Sequence, residues 1–364
     1  MISKQELKNI MIGYKIKFNG IDRLYDAYWW RLTRRAKEAW RSGIHVKGLK
    51  LKELEIKIAS KYQRKFAVGV GSATDGIFLA LKALGLNSNH TVICPVYSYI
   101  ATAGAIRRLG CKIHFVDVDE RGNIGPIDSA VQADAVVYVN LFGNTANYPR
   151  LKKFCNEKKI PLIEDASQSQ GAWHHGQQSG SLGTLSIFSF DPMKNMPCFG
   201  TAGMVLTDDP LIYEDLISLR RHGIRGDHEF GYNSIIPEDH ANQLIFLLSK
   251  FDKLQKMRKE IFERYEEQLP AGMLIKGYDE KGIFSSYHKC VITAQERDLL
   301  QKYLRDAGIE TKIHYEYLLD RDSTNHYPRA EILSATALSL PIYPFLKMSE
   351  VDYVCERINQ FYGI

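Results

Sequence analysis

Long apolar runs, metal-binding clusters and a strong charge imbalance are all missing from this sequence. It contains no run of about 18 apolar residues and no signal-peptide pattern, so we expect no membrane span. The six cysteines are scattered, without the CxxC or Cys/His spacing of a metal site, which predicts reduced thiols, no metal and a cytoplasmic protein. The net charge of +6 argues against a nucleic-acid partner and is compatible with anionic small-molecule substrates.

Short apolar runs alternate with helical patterns in the first 210 residues. Predicted strands cover residues 66–70, 91–95, 112–116, 135–141, 162–165, 185–190 and 203–206. This alternation predicts a three-layer α/β fold in which helices cover both faces of a mainly parallel sheet. Ligands of such sheets bind beyond the carboxyl ends of the strands, so we expect the functional residues there.

The two ends of the chain have other patterns. Near the start, a basic amphipathic helix is predicted from the spacing of Tyr25, Trp29, Leu32, Ala36 and Trp40. Such a helix would pack on the protein itself or on a second subunit. The alternatives are contact with a diphosphate or with a membrane surface.

After residue 208, the predicted elements are a helix at 216–222, a long helix at 237–267, strands at 287–293 and 310–314, and helices at 296–307 and 349–362. This order predicts a small α+β domain. We therefore predict a helical segment over residues 1–47, a large domain over 48–236, and the long helix with a smaller C-terminal domain over 237–364.

The stretch from residue 161 to 203 carries the clearest chemical signal. One predicted strand ends in Glu164 and Asp165, and the next is followed by a lone lysine, Lys194. Because parallel strands end at one edge of a sheet, an acid and an amine would face the same crevice. A pyridoxal phosphate enzyme needs this pair, a lysine for a Schiff base and an acid beside the pyridine nitrogen. A surface lysine and a helix-capping aspartate are the simpler alternatives.

The turn after the first predicted strand is a candidate phosphate site. Residues 71–76 are small and polar, and a buried-helix pattern follows them. The free N–H groups at such a helix start suit a phosphate. An ordinary helix cap by Ser72 or Thr74 is the alternative.

Several motifs, in the right order from about residue 48 onwards, resemble the DegT/DnrJ/EryC1/StrS family of sugar aminotransferases. They are VGVGSATDGI (68–77), CPVYSYIAT (94–102), HFVDVD (114–119), IEDASQSQGA (163–172), GSLGTLSIFSFDPMKN (180–195), FGYN (230–233), KIHY (312–315) and SLPIYP (339–344). The resemblance implies the fold of pyridoxal phosphate-dependent transferases of the aspartate-aminotransferase type.

The resemblance also implies roles around the cofactor ring. Lys194 would form the Schiff base and later move the proton, and Asp165 would pair with the pyridine nitrogen. Ala166 would lie against one face of the ring, and Tyr99 would stack on the other. Gln168 would lie near the phenolic oxygen of the cofactor.

Further implied roles concern the phosphate, a second subunit and the substrate. The phosphate would be held by Ala73, Thr74 and Ser189. Asn233 would come from the neighbouring subunit, so the enzyme would be a homodimer with shared active sites. His314 and Tyr315 would lie near the substrate, although a strand-end histidine is often only a hydrogen-bonded structural residue.

Three features depart from the family pattern. Ile235 stands where the family has an arginine, and residues 240–242 read His-Ala-Asn in place of Gln-Ala-Ala. Ala73 replaces the usual glycine, a change that a helix start can accept. The missing cation makes substrate choice harder to read from the sequence than the cofactor chemistry.

The resemblance implies a pyridoxal phosphate-dependent aminotransferase that moves an amino group from glutamate to a keto sugar, in particular a nucleotide-linked one, in ping-pong order. Three alternatives stay open: the same chemistry on a non-nucleotide cyclic ketone, a sugar dehydratase, and a catalytically silent regulator of the same fold. Lys194 argues against the dehydratase, and the combination of Thr74, Asp165, Ser189 and Lys194 argues against the regulator.

Overall fold

The computed structural model of the chain describes residues 13–145, 147–223, 230–277, 280–321 and 324–364. Its strands are β1 (Phe66–Val70), β2 (Thr91–Pro95), β3 (Lys112–Val116), β4 (Ala135–Val139), β5 (Leu162–Asp165), β6 (Trp173–His174), β7 (Gln177–Gln178), β8 (Leu185–Ser189), β9 (Gly203–Thr207), β10 (Ile283–Phe284), β11 (Cys290–Thr293) and β12 (Ala337–Leu340).

Seven strands form the central sheet, in the order β1-β9-β8-β5-β4-β2-β3. Strand β9 runs antiparallel to its neighbours β1 and β8, and the other paired strands are parallel. The predicted mainly parallel sheet is therefore confirmed. In register, Asp165 pairs with Val139 on one side and Ile187 on the other, so these strand ends meet at one edge.

The helices are α1 (Ile21–Arg41), α2 (Leu49–Lys61), α3 (Ala73–Ala83), α4 (Ala101–Arg108), α5 (Tyr148–Lys158), α6 (Pro210–Leu219), α7 (Glu238–Leu248), α8 (Phe251–Gln268), α9 (Arg297–Asp306), α10 (Pro328–Thr336) and α11 (Met348–Tyr362). A 3₁₀ turn covers Leu141–Gly143. Among these described helices, none is both long and apolar enough to cross a membrane.

Helices cover both faces of the central sheet, as the three-layer prediction requires. On one face, Met204 and Leu206 of β9 pack with α1, α2 and α7. On the other, Val205 of the same strand packs with α3, α4 and α6. Successive side chains of a strand point to opposite faces, so both faces need apolar residues and the strand reads as one continuous apolar run.

A second core lies between the β11–β12 pair and helices α8, α9 and α11. The segment before α1 adds to it, because Ile16 is fully buried there and forms a bridge with Ile309. The predicted division at residues 47 and 236 stays a prediction. Since α7 packs on α1 and α2, we propose that the large domain extends to the end of α7.

The predicted long helix 237–267 is wrong, because the chain turns between Leu248 and Phe251. Helix α7 packs against the large core, whereas α8 begins in that core with Phe251 and Leu254 and then packs against α11 in the second core. Apolar spacing continues through the turn, so periodicity alone did not reveal it. The predicted helix at 216–222 also differs, since α6 begins at Pro210 and ends at Leu219.

The predicted strand 310–314 is also wrong. Only Lys312 pairs there, through an isolated bridge to Ser339, and the sequence analysis missed α10 and β12. In α1, the aromatic face predicted to pack is largely exposed: Trp29 and Trp40 are each 53% exposed, while Leu24 and Leu32 are buried. Leu32 and Ala36, which belong to the same predicted face, are buried. The buried side of the helix therefore covers only part of the predicted face and leaves the tryptophans outside it.

Candidate active site

A cavity of about 350 Å³ lies at the carboxyl edge of the central sheet. Most of the residues predicted from the sequence line it: Ala73, Thr74, Tyr99, Asp165, Gln168, Ser189, Lys194, His314 and Tyr315. These residues come from distant parts of the chain. The edge at which β5 and β8 end therefore brings them together, as expected for a parallel sheet.

Asp165 is the last residue of β5 and is only 6% exposed. One carboxylate oxygen accepts a hydrogen bond from the Ser167 N–H at 3.1 Å, and the other lies 3.5 Å from the donating hydroxyl of Thr102. Burial nevertheless raises the pKa of this carboxyl above its usual range, against the opposing effect of Ser167 and Lys194. A cation at the cavity would favour its ionised form.

Lys194 follows β8 in a tight turn, in which its backbone N–H donates to the Asp191 carbonyl at 2.9 Å. Burial lowers the pKa of its amine, although Asp165 and Asp191 oppose that shift. A neutral amine is the nucleophilic form of lysine. The amine and the Asp165 carboxyl thus face one cavity, each with its charged form disfavoured by burial.

The neighbouring acid, Glu164, is fully buried away from this cavity. Its carboxylate accepts hydrogen bonds from the side chains of Asn140, Ser179 and Ser186 and from the backbone of Gly180 and Leu182, at 2.7–3.1 Å. Glu164 therefore ties the loop between β7 and β8 to β5. The two acids alternate across the strand, so one is structural and the other faces the cavity.

The first turn of α3 forms one end of the cavity. Ser72 caps the helix by accepting from the Asp75 N–H at 3.1 Å, and Thr74 and Ser189 line the space beside it. Strand β9 passes so close that a Cβ on Gly203 would lie 2.6 Å from the nitrogen of Ala73. The capping and phosphate interpretations are compatible, since the remaining N–H groups of the turn stay outside the helical ladder.

The opposite side of the cavity is held by hydrogen bonds to Tyr315. Gln168 donates from Nε2 to the Tyr315 hydroxyl at 3.0 Å and accepts from the Phe142 N–H at 3.1 Å. The Tyr97 hydroxyl donates to the His314 carbonyl and accepts from the Tyr315 N–H. Tyr99 is 57% exposed, with its ring 6.1 Å from that of Tyr315, so one of its faces is open.

Two predicted residues lie elsewhere. Ala166 is fully buried in the core behind β5. Asn233 is exposed and forms a backbone bridge with Arg221. Nearby Ile235, at the family's arginine position, is partly buried against the same core. Their proposed roles toward the ring and a second subunit are therefore not visible within one chain.

Sequence reasoning missed several residues that line the cavity: Ser98, Thr102, Asp191, Met193, His288 and Lys289. For Lys289 a signal was present, because a lysine next to the apolar strand 290–293 is unusual unless the amine has a partner. We call Thr74, Asp165, Ser189 and Lys194 the cofactor wall. We call His288, Lys289, His314 and Tyr315 the C-terminal wall.

The residues present fit pyridoxal phosphate. The cofactor wall supplies an amine, a buried carboxyl and two hydroxyls around one cavity, and the first turn of α3 lines the same cavity. Those groups match the Schiff-base, pyridine and phosphate ends of the cofactor.

The sequence pattern of the DegT/DnrJ/EryC1/StrS aminotransferase family matches residues 31–359. A pleiotropic regulatory protein of Geobacillus stearothermophilus is 32% identical, over 89% of this chain and 92% of that protein. The UDP-2-acetamido-2-deoxy-3-oxo-D-glucuronate aminotransferase of Pseudomonas aeruginosa is 28% identical, over 88% and 92%.

Among solved structures, Streptomyces venezuelae DesV in complex with a ketimine intermediate is similar along nearly the whole chain. The TM-score is 0.91 at 28% identity, over 96% of this chain and 99% of that one. The similarity extends through both cores and includes the elements that carry the cavity.

Proposed function

This chain belongs to the DegT/DnrJ/EryC1/StrS aminotransferase family and is a pyridoxal phosphate-dependent aminotransferase; from that premise we propose that it aminates a nucleotide-linked keto sugar, with glutamate as the amino donor. The observation that carries the proposal is the convergence of Lys194 and Asp165 on one cavity beside the α3 turn. The Pseudomonas aeruginosa relative, named for a UDP-linked 3-oxo sugar, supports the substrate class.

The residues of the cavity would have separate roles in this reaction. When bound, pyridoxal phosphate carries the amino group between the two substrates and takes up the electron pair left on the substrate carbon. Lys194 would hold the cofactor and move the proton at that carbon, and burial favours the neutral form of its amine by lowering its pKa. Asp165 would keep the pyridine nitrogen protonated, while Thr74, Ser189 and the α3 turn would hold the phosphate.

The substrate class can be tested by a screen. Purified holoenzyme is incubated with glutamate and a panel of nucleotide-linked keto sugars, and amination is followed by mass. We expect a glutamate-dependent product with at least one of them. A yellow protein that aminates only free cyclic ketones, such as inososes, would refute the nucleotide-linked substrate while leaving the cofactor chemistry intact.

We further propose a homodimer in which Asn233 of one subunit reaches the cofactor site of the other. Asn233 is exposed and is not among the residues that line the cavity of its own chain, which supports this arrangement. Inactive Lys194→Ala protein is mixed with an inactive Asn233→Ala variant under subunit exchange. Recovery of up to about a quarter of wild-type activity is expected from randomly mixed dimers, and no recovery at all would argue against a shared site.

We also propose a cytoplasmic location, because all six cysteines are free and buried. Thiols of this kind suit a reducing compartment. Fractionation of the source cells, with immunodetection of the protein, tests the location.

A regulatory role beside catalysis is the second candidate, because the Geobacillus stearothermophilus relative carries a regulatory name. A scaffold would need no amine and carboxyl facing one cavity, so the site itself favours catalysis. Deleting the gene and complementing it with Lys194→Ala separates the two, since a purely regulatory phenotype would be restored by the inactive protein.

A further inference from the structure

Lys289 is a buried lysine that no part of the cofactor chemistry uses. It lies immediately before β11, is only 8% exposed and lines the active-site cavity. Its backbone is fixed by a hydrogen bond from its N–H to the Phe142 carbonyl at 3.1 Å. A buried ammonium is costly unless an anion or several acceptors satisfy it.

Within the part of the chain that the structure describes, the Lys289 amine has no hydrogen bond and no ion pair. Its contact is the ring of Phe18, whose centroid lies 4.7 Å from Nζ. Phe18 belongs to the segment before α1, which thereby contributes to the site. An aromatic face attracts a cation but leaves its N–H donors unsatisfied, so room for an acceptor remains on the cavity side.

The other cations near Lys289 have partners within the described residues, although the buried Nε of Arg258 has none. Lys312 forms an ion pair with Glu310 at 2.8 Å, and the Arg258 guanidinium donates to the carbonyls of Ile342 and His288 at 3.0 and 3.4 Å. Lys194 is committed to the cofactor. These neighbours add positive potential on the Lys289 side of the cavity.

Two acids face this group of cations, and both have other partners. Asp165 is placed for the pyridine nitrogen, and Asp191 accepts from the Met193 N–H at 2.9 Å. Burial and the neighbouring cations lower the pKa of the Lys289 amine well below its usual value. A carboxylate beside the amine would restore its charged form and remove the cost of burial.

We propose that Lys289 binds a carboxylate of the substrate. Lys289 lies beside Met193, the residue before Lys194, and so near the reacting end of the cavity. A carboxylate is found near the reacting carbon both in glutamate and in a nucleotide-linked keto-uronic acid. The inference rests on the proposed function, because that function names the two substrates that could carry the carboxylate.

The test compares Lys289→Met, which keeps the length of the stem, with Lys289→Arg, which keeps the charge. Single-turnover half-reactions are followed by the absorbance change of the bound cofactor. Glutamate is compared with glutamine and with isoglutamine, each of which has one carboxylate replaced by an amide. The accepted keto sugar is compared as its uronate and as the neutral hexose. Calorimetric titration of the holoenzyme with glutarate adds a readout that does not depend on turnover.

If the proposal is right, Lys289→Met lowers kcat/KM about 10- to 100-fold for the partner that carries the recognised carboxylate, the range for a hydrogen bond to a charged group. The amide or neutral analogue changes by less than about two-fold, and Lys289→Arg recovers most of the loss. Weaker glutarate binding in Lys289→Met identifies the donor as the source. Unchanged glutarate binding with a loss confined to the uronate identifies the sugar.

Equal losses for every analogue would mean that Lys289 only supports the fold, and no loss for any would mean that it binds no carboxylate; either result overturns the proposal. A loss confined to a diphosphate-bearing sugar, whether neutral or acidic, also overturns it. Failure of the proposed function is distinguishable, because a wild-type enzyme that accepts no keto sugar still reports on Lys289 through glutamate and glutarate.

Discussion

The cofactor wall and the C-terminal wall line one cavity but are built in different ways. The cofactor wall stands at the ends of neighbouring strands and helices of a single sheet, and its groups lie within 120 residues of one another. The C-terminal wall comes from residues near β11 and from the loop that follows α9. It depends on Phe18 and Tyr97 for its shape.

The two walls also differ in whether their charged groups have partners. On the cofactor wall an amine faces a carboxyl, and a bound cofactor would satisfy both. On the C-terminal wall the amine of Lys289 contacts the ring of Phe18 and, in the described part of the chain, has no hydrogen bond or ion pair. The predicted cofactor groups thus stand on the central sheet and its helices, whereas the carboxylate site that we propose at Lys289 lies next to β11 of the second core.

The largest expected effect is loss of chemistry from the cofactor wall. Lys194→Ala should lower transamination at least about 10⁴-fold, the upper end of what positioned proton transfer contributes, while the circular dichroism spectrum stays unchanged. The matched control is Lys312→Ala, a nearby lysine paired with Glu310, which should retain most activity. Substantial turnover by Lys194→Ala would contradict the assignment of the cofactor chemistry to the cofactor wall.

The support behind the cofactor wall is tested by stability. Glu164→Ala removes a buried carboxylate that accepts from five residues, so it should lower the free energy of unfolding by about 3–5 kcal/mol. Urea denaturation measures the change. Glu157→Ala, on the exposed face of α5, should change it by less than about 0.5 kcal/mol. Similar values for the two variants would contradict the structural role of Glu164.

A smaller effect is expected on the C-terminal wall. Tyr315→Phe removes the hydroxyl that accepts from Gln168, which is worth about 1 kcal/mol, and should lower kcat/KM about 3- to 10-fold. Tyr317→Phe, on an exposed ring, is the control and should be close to wild type. Complete loss of cofactor binding in Tyr315→Phe would mean that the C-terminal wall also holds the cofactor, and the proposed separation of roles between the two walls would be wrong.

The smallest effect concerns the pH dependence of apoprotein stability. The pKa of Asp165 is raised by burial from 3.8, so the folded state holds this proton more tightly than the unfolded state. The stability that it contributes is complete below about pH 3.8 and is lost as the pH rises through the folded pKa. Asp165→Asn apoprotein should therefore melt above wild type at pH 7, with a smaller difference at pH 4. A melting temperature of Asp165→Asn below that of wild type at pH 7 would contradict the predicted effect of the raised Asp165 pKa.

Much of the fold was predictable because the strands of a doubly covered sheet are short apolar runs between polar turns. The bounds of β1, β2, β3 and β5 agree with the prediction. The break between α7 and α8 was not predictable, since both helices have apolar stripes and only their partners differ. The isolated bridge at Lys312 likewise reflects packing rather than propensity.

The sequence by itself determined that an acid and an amine would meet, because strand order and polarity place Asp165 and Lys194 at one sheet edge. Only the tertiary structure decided what the adjacent acid does, because the alternation of side chains directs Glu164 into a loop network. It also decided that Lys289 has no hydrogen-bond or ion-pair partner for its amine among the described residues, since that depends on residues from both ends of the chain. Local patterns record periodicity and chemistry, whereas the partner of a buried charge is set by packing.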